Sequence, residues 1–188
     1  MDADFTVELG RDDPALDFPW TDPAGRLAYF DLKRQPELIA QIEEASTFPE
    51  LGEFLRTVNS ARSSLESAKC DAWMTTELSA EEDIYGASHK FASYVDLVFS
   101  DVDRRRSFPL HENFARRLAE LLRRAPDILS SVEVCVRRCF FGDAGEGFYF
   151  TVYTSGYGND EAGARRNWGV ALKLAGSVMG QWSSSGGC

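Results

Sequence analysis

The apolar residues of this 188-residue chain switch repeatedly between helical spacing and a spacing of two, and that switching constrains the fold more than any motif does. From Lys69 onward, Cys70, Ala72, Met74 and Leu78 share one side of the chain, and Asp71, Trp73, Thr75 and Glu77 share the other. This is the alternation of a half-buried strand. After the polar stretch 79–86 a second run follows, with Phe91, Val95, Leu97 and Phe99 opposite Lys90, Tyr94, Asp96 and Val98. Pro109 then opens a helix whose stripe is Leu110, Phe114, Leu118, Leu121, Leu122 and Ala125, and Pro126 closes it. The order then repeats. Val132, Val134, Val136 and Phe140 form a strand face, a glycine-rich turn occupies 142–147, and Phe148, Phe150 and Val152 return. Residues 154–159 read as a loop into a last helix carrying Trp168, Leu172, Ala175, Met179 and Trp182. Two consecutive ββα units predict an α+β fold: an antiparallel sheet of about four to five strands with both unit helices on one face.

Upstream of these units the spacing predicts a short strand at 25–32 and then a helical pair, one helix from Pro36 and a longer one running from Pro49 to Ala68. Residues 1–24 are rich in Asp and Pro. Proline fixes φ and removes a donor, so this stretch reads as an extended acidic arm that Phe18 and Trp20 pin to the body. The expected organisation is an arm at 1–24, a single α+β domain at 25–182 and a flexible tail at 183–188. In the last helix Gly169, Gly176 and Gly180 each cost about 1 kcal/mol relative to Ala, which points to close approach of that helix to the sheet.

Charge narrows the function classes. The formal net charge is −10, and it is unevenly placed: residues 1–100 carry −12 and residues 101–188 carry +2. The acidic balance excludes a generally basic surface of the kind that neutralises phosphates, so nucleic acid is not an expected partner. No apolar run reaches the roughly 18 residues of a membrane-spanning helix. The start Met1-Asp2-Ala3-Asp4 is acidic where a signal peptide is basic, and the expectation is a cytoplasmic protein with no membrane partner. Cys70, Cys135, Cys139 and Cys188 are sparse and lack CxxC spacing, so they indicate neither a disulfide framework nor a metal site. No cofactor motif is present. Ser155-Gly156-Tyr157-Gly158 precedes a helix, but it lacks a third glycine and a lysine, and Asp160 and Glu161 would repel a phosphate. It reads as a turn. His89 and His111 have no HxxH or HExxH partner and read as structural or solvent residues.

The second face of the expected sheet gathers large rings with polar tips among charges. Trp73, Tyr94, Asp96, Arg137, Tyr149 and Tyr153 are the candidate ligand- or partner-binding residues. The competing structural reading is that the two N-terminal helices simply cover this face. The leading functional expectation is a non-catalytic interaction module, of the adaptor, chaperone or immunity-antagonist type. It would bind a protein partner through an acidic or aromatic surface, and the acidic half suits a basic partner. The alternative is a small-molecule binder or enzyme with a pocket between the sheet and the N-terminal helices, lined by Trp73, Tyr94, Tyr149 and Tyr153. A third reading gathers the arginine clusters at 104–106, 116–117, 123–124, 137–138 and 165–166 around an anionic ligand.

Overall fold

The segments of alternating character are strands in the computed structural model, which describes residues 1–184. Chain order begins with β1 (Asp2–Glu8), β2 (Ala15–Asp17), a 3-10 turn at Pro36–Gln41, α1 (Glu43–Thr47) and α2 (Pro49–Val58). It continues through β3 (Leu65–Thr75), a 3-10 turn at Glu82–Tyr85, β4 (His89–Phe99), α3 (Val102–Arg105) and α4 (Phe108–Leu122). It ends with β5 (Ser130–Phe140), a 3-10 turn at Gly142–Ala144, β6 (Glu146–Gly158) and α5 (Glu161–Ser184). The strands form one six-stranded sheet ordered β1-β5-β6-β4-β3, with β2 paired to β5 beyond the end of β1.

The α+β class therefore holds, and its finer description is corrected. The sheet is mixed and six-stranded, where an antiparallel sheet of four to five strands built from two ββα units after a helical pair was expected. Two strands come from the acidic arm. β1 and β2 run parallel to β5 (Asp2 opposite Ser131, Glu8 opposite Arg137), while all other pairs are antiparallel. The helix expected from Pro49 to Ala68 ends at Val58, and Leu65 and Ala68 belong to β3. No strand forms at 25–32; Thr21 and Ala28 make a single bridge. The loop expected at 154–159 is largely strand, because β6 runs on to Gly158. Of the tail placed at 183–188, Ser183 and Ser184 close α5, and 185–188 lie outside the described residues.

All the long helices lie on one face. α5 packs on β6 and β4, α4 on β1, β5 and β6, and α2 against α5 and β3. The inward residues of the sheet, Phe91, Val95, Leu97, Phe99, Val132, Val134, Val136, Phe150 and Val152, meet Phe114, Leu118, Trp168, Leu172, Met179, Leu51 and Phe54. Trp168 is fully buried against Phe91, with centroids 4.4 Å apart, and its indole N–H donates to the Ser93 hydroxyl at 2.8 Å. A buried indole with its one donor satisfied avoids a desolvation cost of about 1–3 kcal/mol.

Glycine explains how α5 sits so close, though not where expected. A Cβ on Gly156 would collide with the backbone of Trp168 and Ala164, and one on Gly158 with the backbone of Ala164. The strand glycines thus admit the helix. Gly169 and Gly176 face Glu50 and Phe54 of α2 rather than the sheet, and a Cβ added at Gly180 would meet nothing within 4 Å. His111 of α4 is buried among Phe99 and Phe150, its Nδ1 2.9 Å from the Ser107 carbonyl oxygen. Burial pulls its pKa down to about 4, so it is neutral at pH 7.

Candidate functional site

With the helices on one side, the other side of the sheet is left to polar and aromatic residues. Strand alternation places them and register aligns them in rows. One row crosses the sheet as Asp71, Tyr94, Tyr153, Glu133 and Asp4, and the next as Lys69, Asp96, Thr151, Cys135 and Thr6. Trp73 stands beside Ala92 and Ser155 in a third row. The rings form a chain: Trp73 to Tyr94 at 6.4 Å and Tyr94 to Tyr153 at 6.3 Å, both tilted. Trp73 is 40% exposed, which is high for so large a ring.

Beneath the rings runs a linked polar network. The Glu8 carboxylate accepts from Arg137 Nε at 2.7 Å. Arg137 Nη1 donates to the Thr151 hydroxyl at 2.9 Å and contacts the Tyr153 hydroxyl at 3.0 Å. The Thr151 hydroxyl donates onward to Asp96 Oδ1 at 2.7 Å. The hydrogen bond from Arg137 holds the Glu8 carboxyl below its ordinary range. Asp96 is deeper. Burial pushes its carboxyl up to about 6, against the opposing pull of the Thr151 hydrogen bond and the charges of Lys69 and Arg137. Lys69 Nζ lies over the rings of Trp20 and Tyr94 at 5.1 and 5.8 Å, and the Arg137 guanidinium over Tyr153 at 5.5 Å. Such placements are favourable because the ring face is negative.

Both ends of this face are crossed by chain. At one end β2 and the segment after it lay Leu16, Phe18 and Trp20 on Ala68, Val98, Cys139 and Tyr149. The Trp20 indole donates to the Ala68 carbonyl at 2.6 Å. Arg105 is sandwiched there between Phe18 and Phe141 and donates to Glu66 at 2.5 Å. At the other end the β3–β4 connection folds back as a strap. Tyr85 stacks on Tyr157 at 4.0 Å and donates to Asp2 at 2.9 Å. Glu82 takes hydrogen bonds from Lys90 and from the Tyr157 hydroxyl. Burial works against the Glu82 charge, yet the bonds from Lys90, the Ser79 amide and Tyr157 hold its carboxyl below the usual range. Beside Glu82 of the strap the sheet carries a cleft of about 270 Å3.

The structure brings together Tyr94, Asp96, Arg137 and Tyr153, with Trp73 at their margin. Tyr149 stays beside them as the cross-strand partner of Arg137, and it is buried beneath the Phe18–Trp20 crossing. The lining expected for a pocket between the sheet and the N-terminal helices is corrected, since Trp73, Tyr94, Tyr149 and Tyr153 lie on the face turned away from α1 and α2; a cavity of about 270 Å3 between β3 and α1 is lined instead by residues such as Ile42, Glu43, Ser67 and Cys70. The shared anion site is also corrected. Arg105 serves Glu66, Arg106 the Ala144 carbonyl, Arg116 Glu112, Arg123 Asp4, Arg137 Glu8 and Arg165 Glu50. These arginines are spread over the molecule, each tied to its own partner. Sequence reasoning missed Glu8, Thr151, Glu82 and Tyr157. The signal for the first was Ala3, Phe5 and Val7 alternating with polar residues; for Tyr157 it was the alternation of Tyr149, Thr151, Tyr153 and Ser155 continuing past 154.

Compared with protein-family models, curated proteins and solved structures, the chain matches none. No helix among the described residues is long and apolar enough to cross a membrane. No group of three or more His, Cys, Asp or Glu among them is gathered to hold a metal ion.

Proposed function

We propose that this protein is a non-catalytic binding module that engages a basic protein partner through the helix-free face of its sheet. The observation that carries the reading is the chain of rings formed by exposed Trp73 and half-buried Tyr94 and Tyr153, with Asp71 and Glu133 at the two ends of the Tyr94–Tyr153 row. Neither carboxylate forms an ion pair among the described residues; Asp71 accepts from the Ala72 amide and Glu133 from Thr6. Rings that bury area at low entropy cost, set beside uncompensated carboxylates, suit cationic side chains. The face already holds two of its own cations in this manner, Lys69 and Arg137. Asp96, the most perturbed carboxyl of the face, is turned inward to Thr151 and buried, which suits a structural role better than proton transfer to a ligand.

The test is a paired capture from native lysate at low salt, using the wild-type chain and a Trp73→Ala, Glu133→Gln double variant as baits. A basic protein retained by the wild type and lost from the variant is the expected result. Equal retention by both baits, retention of an acidic protein, or no retention overturns the reading.

A further inference from the structure

A cavity opens on the helix-free face where Glu82 of the strap meets the sheet. Trp73, Tyr153 and Tyr157 contribute its rings, Glu133 its margin, and Ser131 and Ser155 further lining. Its volume of about 270 Å3 falls just below the roughly 300–1,000 Å3 of clefts that enclose whole drug-sized ligands. It is of a size for one side chain. Its charge is acidic, because Glu82 is already paired with Lys90 while Glu133 has only the Thr6 hydroxyl, at 3.0 Å. Its rings also differ in occupancy. Tyr94 has Lys69 over it and Tyr153 has Arg137, but no cation among the described residues lies over Trp73.

We propose that this cavity is the anchor pocket for a single lysine or arginine side chain of the partner, held between the Trp73 ring and the Glu133 carboxylate. The proposal rests on the binding role assigned above to the whole face. An anion is disfavoured by Glu133. An uncharged apolar side chain would gain the rings but leave the carboxylate unanswered as it loses water, which costs more than it returns. A cation satisfies both features, because the negative ring face and the carboxylate both attract positive charge.

The test is titration of the full chain with three capped pentapeptides, Gly-Gly-Xaa-Gly-Gly with Xaa lysine, arginine or norleucine, at millimolar concentration, followed by amide and indole NMR. The Trp73 indole N–H and the Ser155 and Tyr153 amides are expected to shift with lysine or arginine, and not with norleucine. Glu133→Gln is expected to weaken the apparent affinity about fivefold, in line with one partly screened charge contact, while resonances remote from the strap keep their positions. The proposal is overturned if norleucine moves the same resonances equally, if Glu133→Gln leaves the affinity unchanged, or if no peptide shifts them. A longer peptide of alternating glycine, arginine and lysine separates the two readings. If it binds with shifts on Asp71 and Tyr94 but none at Trp73 or Ser155, the pocket falls and the binding face stands. If it binds nowhere on the face, both fall.

Discussion

The two ends of the helix-free face are closed by different chemistry. The end beneath Phe18 and Trp20 is sealed with apolar surface, and Arg105 there is held between two rings and tied to Glu66. The end beneath the β3–β4 strap is closed by polar contacts, Tyr85 to Asp2 and Lys90 and Tyr157 to Glu82, around a cavity. The first closure removes apolar area from water and adds to the core. The second leaves space and exposes Ile84 and Trp73 at its rim. One end of the sheet therefore adds to the core, and the other keeps a cleft and exposed apolar side chains.

Substitutions that treat the ends unequally break or sharpen this contrast. The largest effect is expected from Arg105→Ala. It leaves Glu66 buried without its cation and empties the space between Phe18 and Phe141, so denaturant melts should show a loss of about 3 kcal/mol. A loss below about 1 kcal/mol would mean that the sealed end is not a stabilising one.

Between the two ends lies Asp96. Its folded pKa of about 6 is above the ordinary carboxylate value, so the native state binds its proton more readily than the unfolded chain does. The penalty for this group is full above pH 7 and is relieved as pH falls through 6. His111 acts in the opposite sense, because its pKa is lowered to about 4 and its contribution is lost as pH falls below about 6.5. Measuring Asp96→Asn against wild type cancels the histidine. The advantage of the variant at pH 7.5 should shrink by about 1.4 kcal/mol by pH 5, one pH unit below the folded pKa. A constant gap across that range would show that Asp96 is not buried as a coupled carboxyl.

At the strapped end the effects are smaller. Tyr85→Ala removes a ring stack and an exposed hydrogen bond and should cost about 1 kcal/mol. Its clearer signature is faster hydrogen exchange at 79–88 with the sealed end unchanged. Trp73→Ala should change stability by no more than about 0.5 kcal/mol, as an exposed substitution does. A cost as large as that of Arg105→Ala would make Trp73 a structural residue and remove it from the binding reading.

Much of the fold was legible where alternation was unbroken. Phe91 through Phe99 and Val132 through Val136 read as strands because their large apolar residues recur at a spacing of two, and α4 was bracketed by Pro109 and Pro126. The start of β3 was hidden because Leu65 and Ala68 happen to continue the helical spacing of α2. The end of β6 was hidden because Gly156 and Gly158 look like turn residues, although their role is to admit α5. β1 was hidden by its aspartates, which mark a strand with one polar side. Of the candidate site, the face of Tyr94, Asp96, Arg137 and Tyr153 followed from alternation alone. That Tyr149 is covered by the Phe18–Trp20 crossing, and that Glu8 and Thr151 enter the group, did not.

Taken alone, the sequence determines the α+β class, the residues that share a side of each long strand, and the acidity of the first hundred residues. These are local or summed properties, set by backbone alternation and by charge. The tertiary structure alone decides that an acidic arm becomes a parallel edge strand, that every long helix chooses one face, and that two connections cross the other. Those choices rest on contacts such as Glu8 with Arg137, separated by 129 residues. No local pattern encodes such a pairing; it forms only when the strands that carry the two side chains are laid side by side.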